Sequence, residues 1–244
     1  MKKTHLIVLL LTIILPLQVY GKVYAVLVGI SQYEESINNL TYCNRDAIVM
    51  YEMLKEYTTP DKMILLTNRQ AKRDVIVSKT QQLFKQAMPE DVVIFFFSGH
   101  GSKNVFYTHD KGLNFNTLKN IFKQTKAKRK LIFADACFAG TLRKSGNQGA
   151  SENHNLGDNI LLFLSSRSNQ NSRENYSLKN GTFTYFLVAG LKGGADINGD
   201  NYITAKELYD FVYPKVKDRT KGMQTPVMWG RFDKNLIILK LNKK

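Results

Sequence analysis

The chain is 244 residues long and 43% hydrophobic, enough for a sizeable core in one large domain or two small ones. Its 35 Lys and Arg against 20 Asp and Glu give a net charge of +15, spread along the sequence without an aromatic-rich RNA motif or zinc spacing, so no nucleic-acid partner is expected. Two cysteines, Cys43 and Cys137, are too few for a disulfide-built scaffold.

Lys2 and Lys3 precede an apolar stretch from Leu6 to Leu17, interrupted by Thr12. Val19 and Gly21 then supply the small residues of a cleavage site after Gly21. This pattern predicts a signal peptide over residues 1–21 and a mature domain from 22 to 244. The apolar core of about 12 residues is short of the roughly 20 that a spanning helix needs. A secreted or periplasmic chain, with no stable membrane span after signal removal, is the expectation.

Six segments read as strands from their apolar, β-branched and aromatic content. They are Val23–Ile30, Lys62–Thr67, Val92–Phe97, Lys130–Ala134, Asn159–Leu164 and Leu236–Leu241. Several are continuous apolar runs, as suits strands buried on both faces of a parallel sheet. Helical periodicity falls between them, at Asn44–Tyr57, Arg73–Ala87, Asn114–Lys123, Thr182–Lys192 and Ala205–Val216. The alternation predicts an α/β fold, an open sheet with helices on both faces. Leu142 to Asp158, rich in Gly, Ser and Asn, reads as an exposed loop.

Open α/β sheets bind ligands outside the carboxyl ends of their strands. Two strand runs end there in reactive residues: Val92–Phe97 in Ser98-Gly99-His100-Gly101, and Lys130–Ala134 in Asp135-Ala136-Cys137-Phe138-Ala139-Gly140. A thiol and an imidazole delivered to neighbouring strand ends make a nucleophile with its base. Gly99 and Gly101 are expected to let the backbone approach a substrate. The backbone amides of Gly101 and Cys137 could together hold a developing oxyanion. Cys43 is expected to pack as a small apolar residue at a helix start.

These paired motifs resemble the caspase-like cysteine peptidases, in the metacaspase and bacterial caspase-domain branch. The likeness extends to Val23-Tyr-Ala-Val-Leu-Val-Gly29, Leu40-Thr-Tyr-Cys-Asn-Arg-Asp46-Ala47, Ser165-Ser166-Arg167 and Gly181-Thr-Phe-Thr-Tyr185. It implies a caspase-like fold with a mostly parallel six-stranded sheet. It also implies endopeptidase chemistry through an acyl-enzyme, with Cys137 as nucleophile and His100 as general base and acid. Metacaspase-like relatives cut after Arg or Lys, and by match the substrate-binding residues are Asp46, Ser98 and Asp135. A carboxylate pocket pairs with guanidinium or ammonium and rejects Asp. Asp46 also suits the first turn of a helix, where the dipole favours an acid. Two departures stand out: Ala136 and Phe138 flank the thiol where the metacaspase motif more often carries polar residues.

Peptide substrates with Arg or Lys before the cut are therefore the expected partners, and catalysis needs no cofactor. Arg143 and Lys144, in the loop after Cys137, are candidate self-cleavage positions. A caspase-fold binding or scaffold module without turnover is the alternative.

One further motif lies outside this chemistry. Asp196, Asn198, Asp200, Thr204 and Glu207 place oxygen donors at positions 1, 3, 5, 9 and 12 of an EF-hand-like loop over residues 196–207, with the Tyr202 carbonyl at position 7. Asn201 stands at position 6 where such loops carry Gly; asparagine tolerates the left-handed turn. The spacing predicts a Ca2+ site, structural or activating, and an acidic turn with a helix start at Thr204 is the plainer reading.

Overall fold

The first apolar run forms β1 (Val23–Gly29), buried along its whole length, in a computed structural model that describes residues 21–34, 37–102, 104–136, 160–165, 174–230 and 233–242. Helix α1 (Cys43–Leu54) follows, then β2 (Met63–Thr67), α2 (Arg73–Phe84) and β3 (Val92–Ser98). A small meander comes next, β4 (Gly101–Ser102), β5 (Val105–Tyr107) and β6 (Gly112–Asn114), leading into α3 (Phe115–Gln124). After β7 (Arg129–Asp135) and β8 (Ile160–Leu164) comes a two-stranded ribbon, β9 (Glu174–Asn175) and β10 (Asn180–Gly181). The chain then runs through α4 (Thr182–Ala189), β11 (Tyr202–Thr204), α5 (Ala205–Arg219), β12 (Val227–Trp229) and β13 (Ile237–Lys240).

The main sheet has six strands in the order β12-β8-β7-β3-β1-β2. All neighbours pair in parallel except β12, which runs antiparallel to β8. Both faces are buried, which explains the unbroken apolar runs. On one face Val26, Val28, Phe95 and Phe97 pack with Ile76, Phe84, Leu118 and Phe122 of α2 and α3. On the other Leu27, Ile94, Phe96 and Phe133 pack with Met50, Leu54, Leu187 and Leu208 of α1, α4 and α5. Phe95, Phe96 and Phe97 are each fully buried, and each contributes roughly 1.5–3 kcal/mol relative to an exposed ring. The strand ends are therefore a stiff platform for whatever follows them.

One strand expectation is corrected. The Leu236–Leu241 segment is not the sixth strand of the main sheet. Its strand residues, Ile237–Lys240, pair with β11 in a separate two-stranded sheet. The sixth strand is Val227–Trp229, too short for a periodic signal to show. The meander β4–β6 was also invisible to periodicity, because its strands are only two or three residues long. Among the described residues no helix is long and apolar enough to cross a membrane. The predicted signal peptide lies outside the described residues, apart from Gly21.

Candidate active site

β3 and β7 are neighbours, and their register sets Ser98 beside Asp135 at the carboxyl ends. Counting two residues on from each gives His100 in one chain segment and Cys137 in the other. Cys137 lies outside the described residues, as do Arg143 and Lys144. The last described residue before Cys137, Ala136, is buried and held: its N–H donates to Ser165 Oγ at 3.2 Å, and that hydroxyl donates back to the Ala136 carbonyl at 3.2 Å.

His100 is held by a segment far upstream. Its Nε2 lies 2.7 Å from the Asn38 carbonyl. A carbonyl only accepts, so Nε2 carries a proton, and in the neutral ring the lone pair is on Nδ1. The His100 backbone N–H donates to Tyr33 Oη at 2.7 Å, and the two rings sit 5.0 Å apart. The segment carrying Tyr33 and Asn38 is itself tied down. Asn68 Oδ1 accepts from the N–H groups of Ser31 and Gln32, and His109 meets the Gln32 carbonyl and Glu34. Gly99 is glycine for this latch: a Cβ there would fall 2.6 Å from Tyr33 Oη. The expectation that Gly99 opens the backbone to substrate is thereby corrected, since a tyrosine fills that space. Gly101, half-buried at the start of β4, directly follows the imidazole.

Asp46 and Asp135 come together beside this imidazole's strand. Asp46, in the first turn of α1, is 1% exposed, and Asp135 is 4% exposed. Ser98 Oγ donates to Asp46 Oδ2 at 2.7 Å. Asn180 Nδ2 and the Gly181 N–H donate to Asp46 Oδ1, each at 2.9 Å. Thr184 donates to Asp135 Oδ2 twice, from its N–H at 3.1 Å and its hydroxyl at 2.8 Å. Burial first, then the Asp135 charge, push the Asp46 carboxyl up to about 8, against hydrogen bonds from Asn180, Ser98 and Gly181 that pull it down. A protein keeps such a pair at a cost, so this is where a ligand cation would be worth most.

The two carboxylates converge over Gly181. A Cβ there would fall 2.2 Å from Asp135 Oδ2 and 2.9 Å from Asp46 Oδ2. Gly181→Ala should force the acids apart and cost about 1–3 kcal/mol of stability. A thermal melt of the purified variant checks this; an unchanged midpoint would show that the acids yield freely.

Residue reading alone had marked His100, Gly101 and Cys137, and the resemblance had added Asp46, Ser98 and Asp135. Asn180 and Thr184 had not been assigned, nor had Tyr33 and Asn38. The last two act through a hydroxyl and a main-chain carbonyl, and no side-chain pattern announces those. Cys43, expected at a helix start, opens α1 and is buried.

The EF-hand-like loop has part of the required geometry. Asn201 adopts φ +65°, and its N–H donates to Asp196 Oδ2 at 3.1 Å, folding the loop back on its first residue. Asp196 Oδ1 is buried without a hydrogen-bond partner among the described residues, an arrangement that suits a cation. Glu207 is turned the other way. Its Oε2 accepts from the Thr204 N–H and hydroxyl, closing a capping box at the start of α5. Among the described residues no three His, Cys, Asp or Glu side chains converge as metal ligands. Asp196 is thus open to a cation, whereas Asn198 and Asp200 are hydrogen-bonded within the loop and Thr204 and Glu207 within the cap, so those four would have to exchange these bonds to serve as ligands.

Fold and site together define a caspase-like α/β protein. Caspase-1 of Spodoptera frugiperda superposes with a TM-score of 0.70 at 17% identity, covering 92% of each chain. A solved protein of Geobacter sulfurreducens superposes with a TM-score of 0.68 at 19% identity, covering 91% of this chain and all of that one. The family model described as the caspase domain, peptidase C14, matches residues 22–237, so the chain belongs to that family. Metacaspase-1 of Debaryomyces hansenii is 30% identical over an alignment of 148 residues that covers 50% of this chain and 33% of that protein. Metacaspase-1 of Candida glabrata is 33% identical over 94 residues, 35% of this chain and 24% of that protein. The matched stretches thus span a third or less of these relatives. The family to which the chain belongs is one of caspase-like cysteine peptidases.

Proposed function

We propose that this chain is an exported endopeptidase that cuts after Arg or Lys, using Cys137 and His100. The observation that carries the reading is the buried Asp46–Asp135 pair, converging over a glycine at the strand ends beside His100. A guanidinium or ammonium answers two carboxylates; an Asp side chain would add a third negative charge. Ser98, hydrogen-bonded to Asp46, would line the same pocket.

The chemistry runs as follows. His100 Nδ1 takes the Cys137 thiol proton, and the thiolate attacks the carbonyl carbon after the basic residue. The N–H groups of Gly101 and Cys137 stabilise the oxyanion. The imidazolium then gives its proton to the leaving amine as the C–N bond breaks, leaving a thioester. Water attacks that thioester, with His100 as base, and frees the thiol.

The test is hydrolysis of fluorogenic peptides ending in Arg, Lys or Asp by the chain from Lys22, beside Cys137→Ala. Cleavage after Arg or Lys that vanishes in the variant is expected. Cleavage after Asp would discard the acidic pocket, and silence on all three would favour a binding module. A new N-terminus at Lys144 or Ser145 in active enzyme is the expected sign of self-cleavage, and Edman sequencing that finds neither would remove that step.

Calcium at residues 196–207 belongs to the same proposal, in a structural role. Asp196, Asn198, Asp200 and Thr204 would supply side-chain oxygens and Tyr202 its carbonyl. Saturating calcium should raise the melting temperature of the protein, and Asp196→Ala should abolish the rise. At a hundred times Kd the gain would be about 2.7 kcal/mol. No shift in the unsubstituted chain would dismiss the ion.

A further inference from the structure

We propose that β2 is a docking edge for an extended acidic peptide segment of another protein, which adds to the main sheet as a seventh strand. The inference is independent of the peptidase reading, since β2 lies at the edge of the sheet two strands from β3.

Among the described residues β2 pairs only with β1, through five consecutive residues from Ala25↔Met63 to Gly29↔Thr67. Its other side meets no strand among them, and there its backbone donors and acceptors are open to pairing. Proteins commonly blunt such edges with a charge, a proline or a bulge within the strand. Met63-Ile-Leu-Leu-Thr67 has no charged residue and no proline, and its register runs without a shift. The opposite edge, β12, is only three residues long.

A groove of about 570 Å³ runs along this edge. Four consecutive strand residues, Met63 to Leu66, line it, so it follows the strand and not one face of it. The far wall is α2, where Val75 and Lys79 lie one turn apart, together with Lys72 at the residue that precedes the helix. Val75 is 36% exposed, a large apolar side chain left open beside half-buried Ile64 and Leu65. Arg69 closes the end of the groove. The groove thus offers backbone pairing along its floor and apolar contact on one wall.

Charge selects the occupant. Arg69 and Lys79 are exposed, and neither makes an ion pair among the described residues; Lys72 pairs with Glu34 at 3.2 Å. A second copy of this chain paired edge to edge would set one cationic rim against another. An extended segment alternating apolar and acidic residues matches both features: its apolar side meets Val75 and Ile64, and its carboxylates meet Arg69 and Lys79. Strand addition of this kind draws affinity from main-chain hydrogen bonds and selectivity from alternate side chains.

The probe is a fluorescein-labelled decapeptide alternating Val or Ile with Glu, titrated with the chain from Lys22 and read by fluorescence anisotropy. Saturable binding is expected. The double variant Arg69→Glu/Lys79→Glu should weaken it at least about tenfold, which is about 1.4 kcal/mol. The control Lys126→Glu/Lys128→Glu, which removes the same charge elsewhere, should not. The same peptide N-methylated at alternate residues should fail to bind, and amide resonances of Met63 to Thr67 should move with the unmodified peptide alone. No binding overturns the proposal. So does binding that both double variants weaken equally, or that survives N-methylation, because either would mean general attraction to a basic protein.

Discussion

His100→Ala should lower the turnover of an Arg-ending peptide by about 10²- to 10⁴-fold while leaving KM close to that of the unsubstituted chain. In the proposed mechanism the imidazole serves the Cys137 thiol, and the acids that would select the basic residue are separate groups. Its loss should appear in a second reading as well. Alkylation of Cys137 by iodoacetamide, followed by peptide mass spectrometry, should slow in step with turnover, because the thiolate is the reactive form. Cys43 is buried and serves as the unreactive internal reference. Tyr33→Phe keeps the ring beside His100 and removes only the hydroxyl that receives its N–H. It should therefore fall between the two, with a partial loss of turnover. Full turnover in His100→Ala would remove the imidazole from the mechanism.

Asp46→Asn should separate specificity from stability in opposite directions. A bound guanidinium ionises Asp46 by favouring its charged form, and without that carboxylate it loses roughly 2–5 kcal/mol, which is about thirtyfold to several-thousandfold in kcat/KM on Arg peptides. The fold should tolerate the change. The amide oxygen keeps the hydrogen bonds from Asn180 and Gly181, and the amide nitrogen can donate to Ser98. The pH dependence fixes the sign of the stability effect. Folded Asp46 holds its proton to about 8, while the ordinary value is 3.8. Between those limits the folded state binds one proton more than the unfolded state, so this group makes stability fall as pH rises through the window. Melts at about pH 5 and about pH 8 should show that decline in the unsubstituted chain and a flatter profile in Asp46→Asn. Equal slopes would show that Asp46 is already ionised. Arg cleavage that survives the substitution would place the specificity elsewhere.

β1, β3 and β7 were legible because burial on both faces writes itself as an unbroken apolar run. Their reactive ends were legible because open α/β sheets present the carboxyl ends of their strands to ligands, and a histidine and a cysteine fall just beyond two of them. β12 and the meander were not, because three residues carry no period. Ile237–Lys240 was read as a strand, but composition does not name a strand's partner, and β11 took it from the main sheet. In the pocket the acids could be matched, whereas Thr184 and Asn180 become meaningful only when α4 and β10 are set against α1. Tyr33 and Asn38 reach His100 from more than sixty positions upstream, through atoms that sequence motifs do not register.

Helix α4 carries Thr184 into Asp135 at one end and packs along α5 on its side. The loop of residues 196–207 joins these two helices, pinned by β13 through β11. That loop thus ties the helix that steadies Asp135 to the helix packed beside it. Stiffness added there, by an ion or by a shorter connection, would fix the attitude of α4 and set how firmly Thr184 steadies its carboxylate. Such a change would surface as a different grip on the basic side chain, with the bond-breaking step left untouched.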